Sequence, residues 1–266
     1  MHMDTGDSRE SDAKQALLRE IRHYWNSHFH DLEIATHPVG SLGFFDELTE
    51  YRQEKLRYLP RTVDFRAYEG QRVLEVGAGL GIDLAMFAER GAKLLGVDLA
   101  ERSIALAKRN FRQRQLESGF AVMNGEKLAL QDDQFDLVYA HGVIQYTADP
   151  HHMVREIHRV LRPGGEAILM VYNRQSWLYL LSKLAHVSLE HEDAPVMRQW
   201  SMTEFANLLR EFTYVDISPE RFPVKTQLHG GIKGLLFNSL FVPFFNLIPR
   251  SLTRRVGWHL IAKAVK

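Results

Sequence analysis

The chain of 266 residues contains no cysteine. Disulfides, thiolate zinc sites and cysteine nucleophiles are therefore excluded, and a reducing cytoplasm is the simplest compartment to expect. It also lacks an excess of either charge, since 33 Lys plus Arg offset 33 Asp plus Glu. A nucleic-acid binder needs a basic surface to displace counterions, so no nucleic acid is expected as a partner. No apolar run reaches the roughly 18 residues of a membrane-spanning helix. The polar opening MHMDTGDSRESDAKQ has no signal-peptide core and reads as a frayed leader. Repeats and low-complexity tracts are missing too. What is present is an ordinary globular balance, 45% hydrophobic and 25% charged. That suits one large α/β domain with appended elements.

Two N-terminal segments, about 14–30 and 43–59, read as helices with Trp25, Phe44, Phe45 and Leu48 at apolar positions, separated by HPVGSLG. From about residue 70 the rhythm changes. RVLEV (72–76), KLLGVDL, FAVMN, FDLVYA and EAILMVY are short, continuous apolar runs with helical stretches between them. The first helix passes through Met86 and Phe87 to a cap at Gly91, and the second runs from about Glu101 to Leu116. In 151–162, Met153, Val154, Ile157, Val160 and Leu161 share one helical face, and RPGG stops it, with Gly164 and Gly165 as turn residues. Ser201 and Glu204 form a capping-box start, and YVDIS and WHLIAKAV close the chain as two further strands. Strands without alternation, separated by helices, mark a parallel sheet covered on both faces. The expected fold is a doubly wound α/β sheet.

The stretch VLEVGAGLG puts Gly77, Gly79 and Gly81 directly after the first strand. Such a turn offers unpaired backbone N–H groups and a positive helix end to a ligand. The dinucleotide fingerprint is GxGxxG, but here Ile82 holds the third-glycine position. Glu75, at the end of the strand, would repel a pyrophosphate and suit a cationic amino group. Asp98 ends the second strand, where a carboxylate can grip both ribose hydroxyls. A ribose, a cationic amino-acid portion and no phosphate together describe S-adenosylmethionine. Two plainer roles stand beside these, the glycines serving only close packing and Asp98 only capping the next helix.

Four segments in order, VLEVGAGLG, GVDLA, MNGEKLALQDDQFDLVYAHGVIQY and EIHRVLRPGGEAIL, resemble the successive motifs of class I S-adenosylmethionine-dependent methyltransferases. The similarity covers about residues 70–173 and is nearest the type 11 branch that includes ubiquinone- and menaquinone-biosynthesis methyltransferases. One glycine loop alone would be weak; four motifs in register are specific. The resemblance implies a Rossmann-like, mostly parallel seven-stranded sheet with an antiparallel last strand. It implies S-adenosylmethionine as cofactor and S-adenosylhomocysteine as product. Glu75, Gly77, Ala78, Gly79 and Gly81 would face the methionine portion, Asp98 the ribose, and Leu99 the adenine. Asn124 stands where the family usually carries an acidic residue for the adenine amino group, followed by Gly125 and Glu126. An amide oxygen can accept that hydrogen bond as well. The backbone of His141 would border the methionine part. In this branch an N-terminal helical segment folds over the pocket, which gives Tyr24, Trp25, Tyr51 and Arg52 a lid or substrate role, with plain core packing as the rival for the aromatics.

Methyl transfer from a sulfonium is an in-line displacement in which alignment and exclusion of water do most of the work. A general base is needed only for a weakly acidic nucleophile, and the family has no universal catalytic residue. His141 and Tyr146, in AHGVIQYT, are the catalytic candidates, and Gln145 a candidate for orienting a polar substrate. No metal is expected. HYWNSHFHDL gathers His23, His28 and His30 but offers no HxxxH pair, and EHED (190–193) reads as a solvated loop.

The apolar insertion GLLFNSLFVPFFNLIP (234–249) lies between the last two strands, followed by Arg250, Arg254 and Arg255. It is too short and interrupted to span a membrane. Three readings stay open: a wall of the substrate pocket, a dock for a membrane face or dimer partner, or an extension of the core. The first two favour a small, fairly apolar acceptor. SWLYLLSKL belongs to a second variable segment. The expected organisation is a leader and helical lid over 1–69, and a cofactor-binding core over 70–266 with substrate-side segments at about 174–200 and 223–256. The rival functions are an NAD(P)-dependent oxidoreductase, and a non-catalytic nucleoside-binding or membrane- or partner-docking protein on the same fold.

Overall fold

The apolar runs pair into one seven-stranded sheet in the computed structural model, which describes residues 6–29, 31–185, 189–224, 231–249 and 253–266. The strands are β1 Arg72–Val76, β2 Lys93–Asp98, β3 Gly119–Val122, β4 Phe135–His141, β5 Leu161–Tyr172, β6 Tyr214–Glu220 and β7 His259–Val265. Their order is β3-β2-β1-β4-β5-β7-β6. β1 to β5 are parallel, and β7 runs antiparallel between β5 and β6. The winding direction reverses between β1 and β4, and a ligand crevice is expected outside the carboxyl ends at that point.

Before the sheet come α1 Gly6–Ser27, α2 Leu42–Lys55 and α3 Leu59–Thr62. Within it come α4 Ile82–Ala88, α5 Glu101–Arg114, α6 Pro150–Val160, α7 Trp177–Ala185 and α8 Met202–Leu208. α9 Gly231–Leu236 and α10 Val242–Leu247, joined by a π-helical turn Phe237–Phe241, fill the connection from β6 to β7. Consecutive strand residues bury on opposite faces. Val138, Ala140, Leu169 and Val171 pack on Met153, Val154 and Ile157 of α6 and Phe205 of α8. Leu137, Tyr139, Ile168 and Met170 pack on the other side with Phe87, Leu59 and Val63. Both faces are apolar because both are covered, which is why the strands read as unbroken runs. Each such Val, Leu, Ile, Met or Phe side chain contributes about 1.5–3 kcal/mol. The side chain of Asp149 caps α6 by accepting from His152 N at 3.0 Å, and the Ser201–Glu204 capping box opens α8.

Several boundaries differ from expectation. The polar stretch expected to fray is helical from Gly6 onward, and Met1–Thr5 lie outside the described residues. Tertiary ion pairs hold that helix: Lys14 Nζ sits 3.3 Å from Glu126 and 3.0 Å from Asp149, and Arg22 pairs with Glu101. α1 ends at Ser27, and His30 falls outside the described residues, as do Arg250 and parts of both variable segments. The segment expected as one helix over 43–59 breaks into α2 and α3. β5 already begins at Leu161: its register on β4 jumps from Phe135↔Leu161 to Leu137↔Glu166, so RPGG bulges inside the strand rather than preceding it.

Candidate active site

The loop from β1 to α4 forms the floor of the crevice, and its glycines do different work. Gly77 has φ 75°, and a Cβ there would lie 2.8 Å from the Val143 side chain. A Cβ on Gly81 would meet Phe111 of α5 at 3.0 Å. Gly79, at φ 50°, has nothing within 4 Å of that position and opens onto the cleft. Two glycines serve packing and the third leaves room.

Asp98, at the end of β2, accepts from Gly79 N at 2.9 Å and Ala100 N at 2.8 Å. It therefore ties the loop to the start of α5 while lining the cleft. Burial pushes its carboxyl pKa up, while the backbone donors of Ala100, Gly79 and Leu99 pull against that shift. Glu75 is buried at the end of β1, and its Oε2 has no hydrogen-bond partner among the described residues. Burial and the neighbouring Asp83 raise its pKa well above the usual carboxylate range, against the opposing pull of Arg52.

Arg52 comes from α2. Its Nε and Nη2 grip both oxygens of Asp83, and Tyr139 Oη donates to Asp83 Oδ2 at 2.8 Å. Burial would raise the pKa of Asp83, but Arg52 outweighs it and the carboxylate stays ionised. Arg52 Nη2 also lies 3.2 Å from His141 Nδ1, and Tyr58 Oη lies 2.8 Å from His141 Nε2. Burial, and then the Arg52 charge, depress the His141 pKa to about 3. Tyr58 continues the chain to His259 Nδ1, and Arg221 Nη1 lies 3.1 Å from His259 Nε2. Glu190 bridges Arg221 at 2.7 Å and Lys55 at 2.9 Å.

The cleft is roofed by Leu18, Ile21 and Trp25 of α1. Of the expected donor-side residues, Glu75, Gly77, Ala78, Gly79, Asp98 and Leu99 line it. Asn124, Gly125, His141 and Tyr146 do so as well, and so do Trp25 of α1 and Arg52 of α2. Others expected there are absent from its lining. Glu126 is buried and turned away: it accepts from Thr147 Oγ1, from Ala148 N at 2.8 Å and from Asp149 N at 3.0 Å. Tyr24 points outward to Asp193 at 2.8 Å and His191 at 3.0 Å. Tyr51 lies beside Lys55, Gln145 is buried in the core, and Gly81 packs on α5. His28 stacks on the Tyr24 ring. None of the lining residues comes from beyond Met153, so the insertion at 234–249 does not wall this cleft among the described residues. Asp83, Tyr58 and His259 were not anticipated. The one sequence signal for Asp83 is a carboxylate in the first turn of the otherwise apolar IDLAMF.

A methyltransferase-domain family model matches residues 74–169. A ubiquinone biosynthesis O-methyltransferase from Ruegeria pomeroyi is 34% identical over 192 residues, 69% of this chain and 71% of that protein. The corresponding enzyme of Pseudomonas aeruginosa is 36% identical over 126 residues, 45% of this chain and 53% of that one. The chain thus spans about half the length of the first curated relatives it matches. Among solved structures, magnesium protoporphyrin IX methyltransferase from Synechocystis PCC 6803, with bound S-adenosylhomocysteine, superposes with a TM-score of 0.60. It shares 14% identity and covers 92% of this chain and 98% of its own. The YcgJ protein of Bacillus subtilis gives 0.57 at 18% identity, covering 80% and 98%. At these identities the structures establish the fold. The chain belongs to the class I S-adenosylmethionine-dependent methyltransferases. The site suits that family's donor: the orphaned Glu75 oxygen and the open space above Gly79 are where a cationic amino-acid portion would lie.

Proposed function

We propose that the protein transfers a methyl group from S-adenosylmethionine to a small, largely apolar acceptor. The observation that carries this reading is the pair of carboxyl groups in one cleft: Glu75, with an unpartnered oxygen, and Asp98, anchored on the glycine loop. In this reading Glu75 meets the donor's ammonium, Asp98 both ribose hydroxyls, and Leu99, Asn124 and Gly125 the adenine. When bound, the donor supplies a methyl group already activated on a cationic sulfur.

The chain's own part is alignment and exclusion of water. Leu18, Ile21 and Trp25 of α1 cover the cleft, and Trp25 packs edge-on against Tyr146 with ring centroids 4.9 Å apart. Lys14 and Arg22 tie that cover to the Glu126 turn and to α5. His141 enters as a positioning residue. The Arg52 guanidinium can only donate, so Nδ1 accepts and the ring proton of neutral His141 sits on Nε2, toward Tyr58. With both nitrogens engaged, the imidazole holds the reacting space in shape, and Tyr146 forms its aromatic wall. A hydroxyl acceptor is supported by the O-methyltransferase activity named for the relatives. A cytoplasmic location and a small-molecule partner, without nucleic acid, belong to the same reading.

Incubation with S-adenosylmethionine and a panel of hydroxylated aromatics carrying alkyl tails tests it. We expect S-adenosylhomocysteine and a product one methyl heavier with at least one acceptor. Donor binding without S-adenosylhomocysteine above the blank, for every acceptor, would leave only a nucleoside-binding protein.

A further inference from the structure

We propose that the outer face of α7 and of the α9–α10 run docks on an anionic lipid bilayer surface. Residues 231–247 form one uninterrupted helical path, roughly 25 Å long at 1.5 Å per residue. Its two sides differ. Phe237, Phe241 and Phe245 turn inward onto Trp177 of α7, with ring centroids at 6.2, 5.9 and 6.3 Å. Trp177 is itself fixed by Nε1 donating to Arg221 O at 3.0 Å. The outward side carries Leu236, Leu240, Phe244 and Leu247, the last three 62%, 67% and 82% exposed. On α7, Leu180 and Leu184, one turn apart, are 60% and 73% exposed. Single exposed apolar residues are ordinary, but six on two packed helical elements are a surface awaiting an apolar partner.

The charge of the two segments that carry that surface selects the partner. The whole chain is neutral, yet between Phe222 and Trp258 it carries Lys225, Lys233, Arg250, Arg254 and Arg255 and no Asp or Glu. Residues 175–189 add Lys183 and again no acid. Among the described ones, Lys183, Arg254 and Arg255 are exposed. An apolar helical face borne by segments that carry basic and no acidic residues is what lies flat in the headgroup region of an anionic leaflet. A symmetric dimer through the same face would set these cations against their own copies with no acid between them. No helix among the described residues is long and apolar enough to cross a membrane, so the contact is peripheral.

β7 is antiparallel, and His259 at its start pairs with Tyr172 at the end of β5. The α9–α10 run thus enters the sheet at the carboxyl edge, where the cleft lies. Docking would turn that edge toward the membrane, where an apolar acceptor would be dissolved. This consequence rests on the methyl-transfer reading, whereas the docking itself does not.

Flotation of the full chain with vesicles tests it, using phosphatidylglycerol mixed with phosphatidylcholine against phosphatidylcholine alone. We expect binding to the anionic vesicles, at least roughly tenfold weaker on neutral ones and in high salt. The double variant Leu240→Asp/Phe244→Asp should lose the binding while keeping its melting temperature and its affinity for S-adenosylhomocysteine. Equal flotation on both vesicle types, unchanged flotation of the variant, or a dimer in sedimentation that the variant abolishes without any vesicle binding would overturn the proposal. A failed donor site would leave the flotation result intact, so the two readings fail separately.

Discussion

Arg52 of α2 holds Asp83 of α4 through two parallel N–H to oxygen contacts, with the carboxylate side chain only 2% exposed and the arginine 22%. The pair joins the N-terminal helices to the floor of the cleft and sets the charge that Glu75 and His141 experience. Removing one member strands the other. Arg52→Met should leave Asp83 uncompensated and cost about 2–4 kcal/mol of stability, below the range for fully buried pairs because Arg52 is partly open to solvent. Arg52→Lys should restore part of it, since an ammonium cannot reproduce the two-pronged contact. Thermal denaturation reads this directly. An Arg52→Met melting temperature equal to that of the unmodified chain would deny the pair any structural weight.

The loop glycines separate folding from donor binding. Gly77→Ala must push Val143 aside at 2.8 Å in a left-handed backbone, so its first effect should be a lowered melting temperature. Gly79→Ala meets no atom within 4 Å but places its methyl in the cleft. Its melting temperature should fall by less, and its donor affinity by more, than for Gly77→Ala. Parallel melting and calorimetry of the two variants decide the matter, and identical profiles would contradict distinct roles.

Two buried imidazoles predict an acid limb in stability. His141 is depressed to about 3, and burial drives His259 well below its ordinary value too. In the unfolded chain both take up a proton near pH 6.5, but in the fold they do not. The unfolded state therefore binds more protons as pH falls from about 6.5 toward 3, and stability drops by up to ~1.4 kcal/mol per pH unit for each histidine. Asp83 acts in the same direction lower down, because its folded pKa is depressed and its contribution fades below about pH 4. Urea unfolding at a series of pH values should show this slope, and His259→Asn should flatten it. For His141 as a positioning residue, the turnover profile should carry no limb near pH 6.5, and one that disappears in His141→Asn would instead make it a base.

What the sequence made legible was local. Strand, glycine turn and Asp98 lie close along the chain, and period and residue type define them without knowledge of the rest. The polar chain across the site was invisible for the opposite reason: Arg52 reaches Asp83 over 31 positions, Tyr58 reaches His141 over 83 and His259 over 201. No spacing rule connects such partners. Glu126 follows the Asn124–Gly125 loop and so stands among the donor-side candidates by position, but its orientation takes it out of the cleft. Its Oε1 serves the turn at 147–149, and its Oε2 faces Lys14 at 3.3 Å. Tyr24 and Trp25 are neighbours about 100° apart on one helix, so only one of them can face the cleft. The leader reads as frayed because its composition is polar, yet it belongs to a helix that ion pairs of Lys14 and Arg22 tie to distant elements, which local propensity does not reveal.

The central claim is that Glu75 and Asp98 form the seat of a cationic nucleoside, and calorimetric titration with S-adenosylhomocysteine near pH 6, repeated in two buffers of different ionisation enthalpy, tests it most directly. One saturable site is predicted, weakened by about 1–3 kcal/mol in Asp98→Ala. Because burial and Asp83 raise the Glu75 pKa in the free protein, an ammonium beside it should draw that pKa back down, so proton release should accompany binding, the observed heat should differ between the buffers and affinity should rise with pH. Absence of binding heat in both buffers, with a nicotinamide dinucleotide producing it instead, would contradict the account.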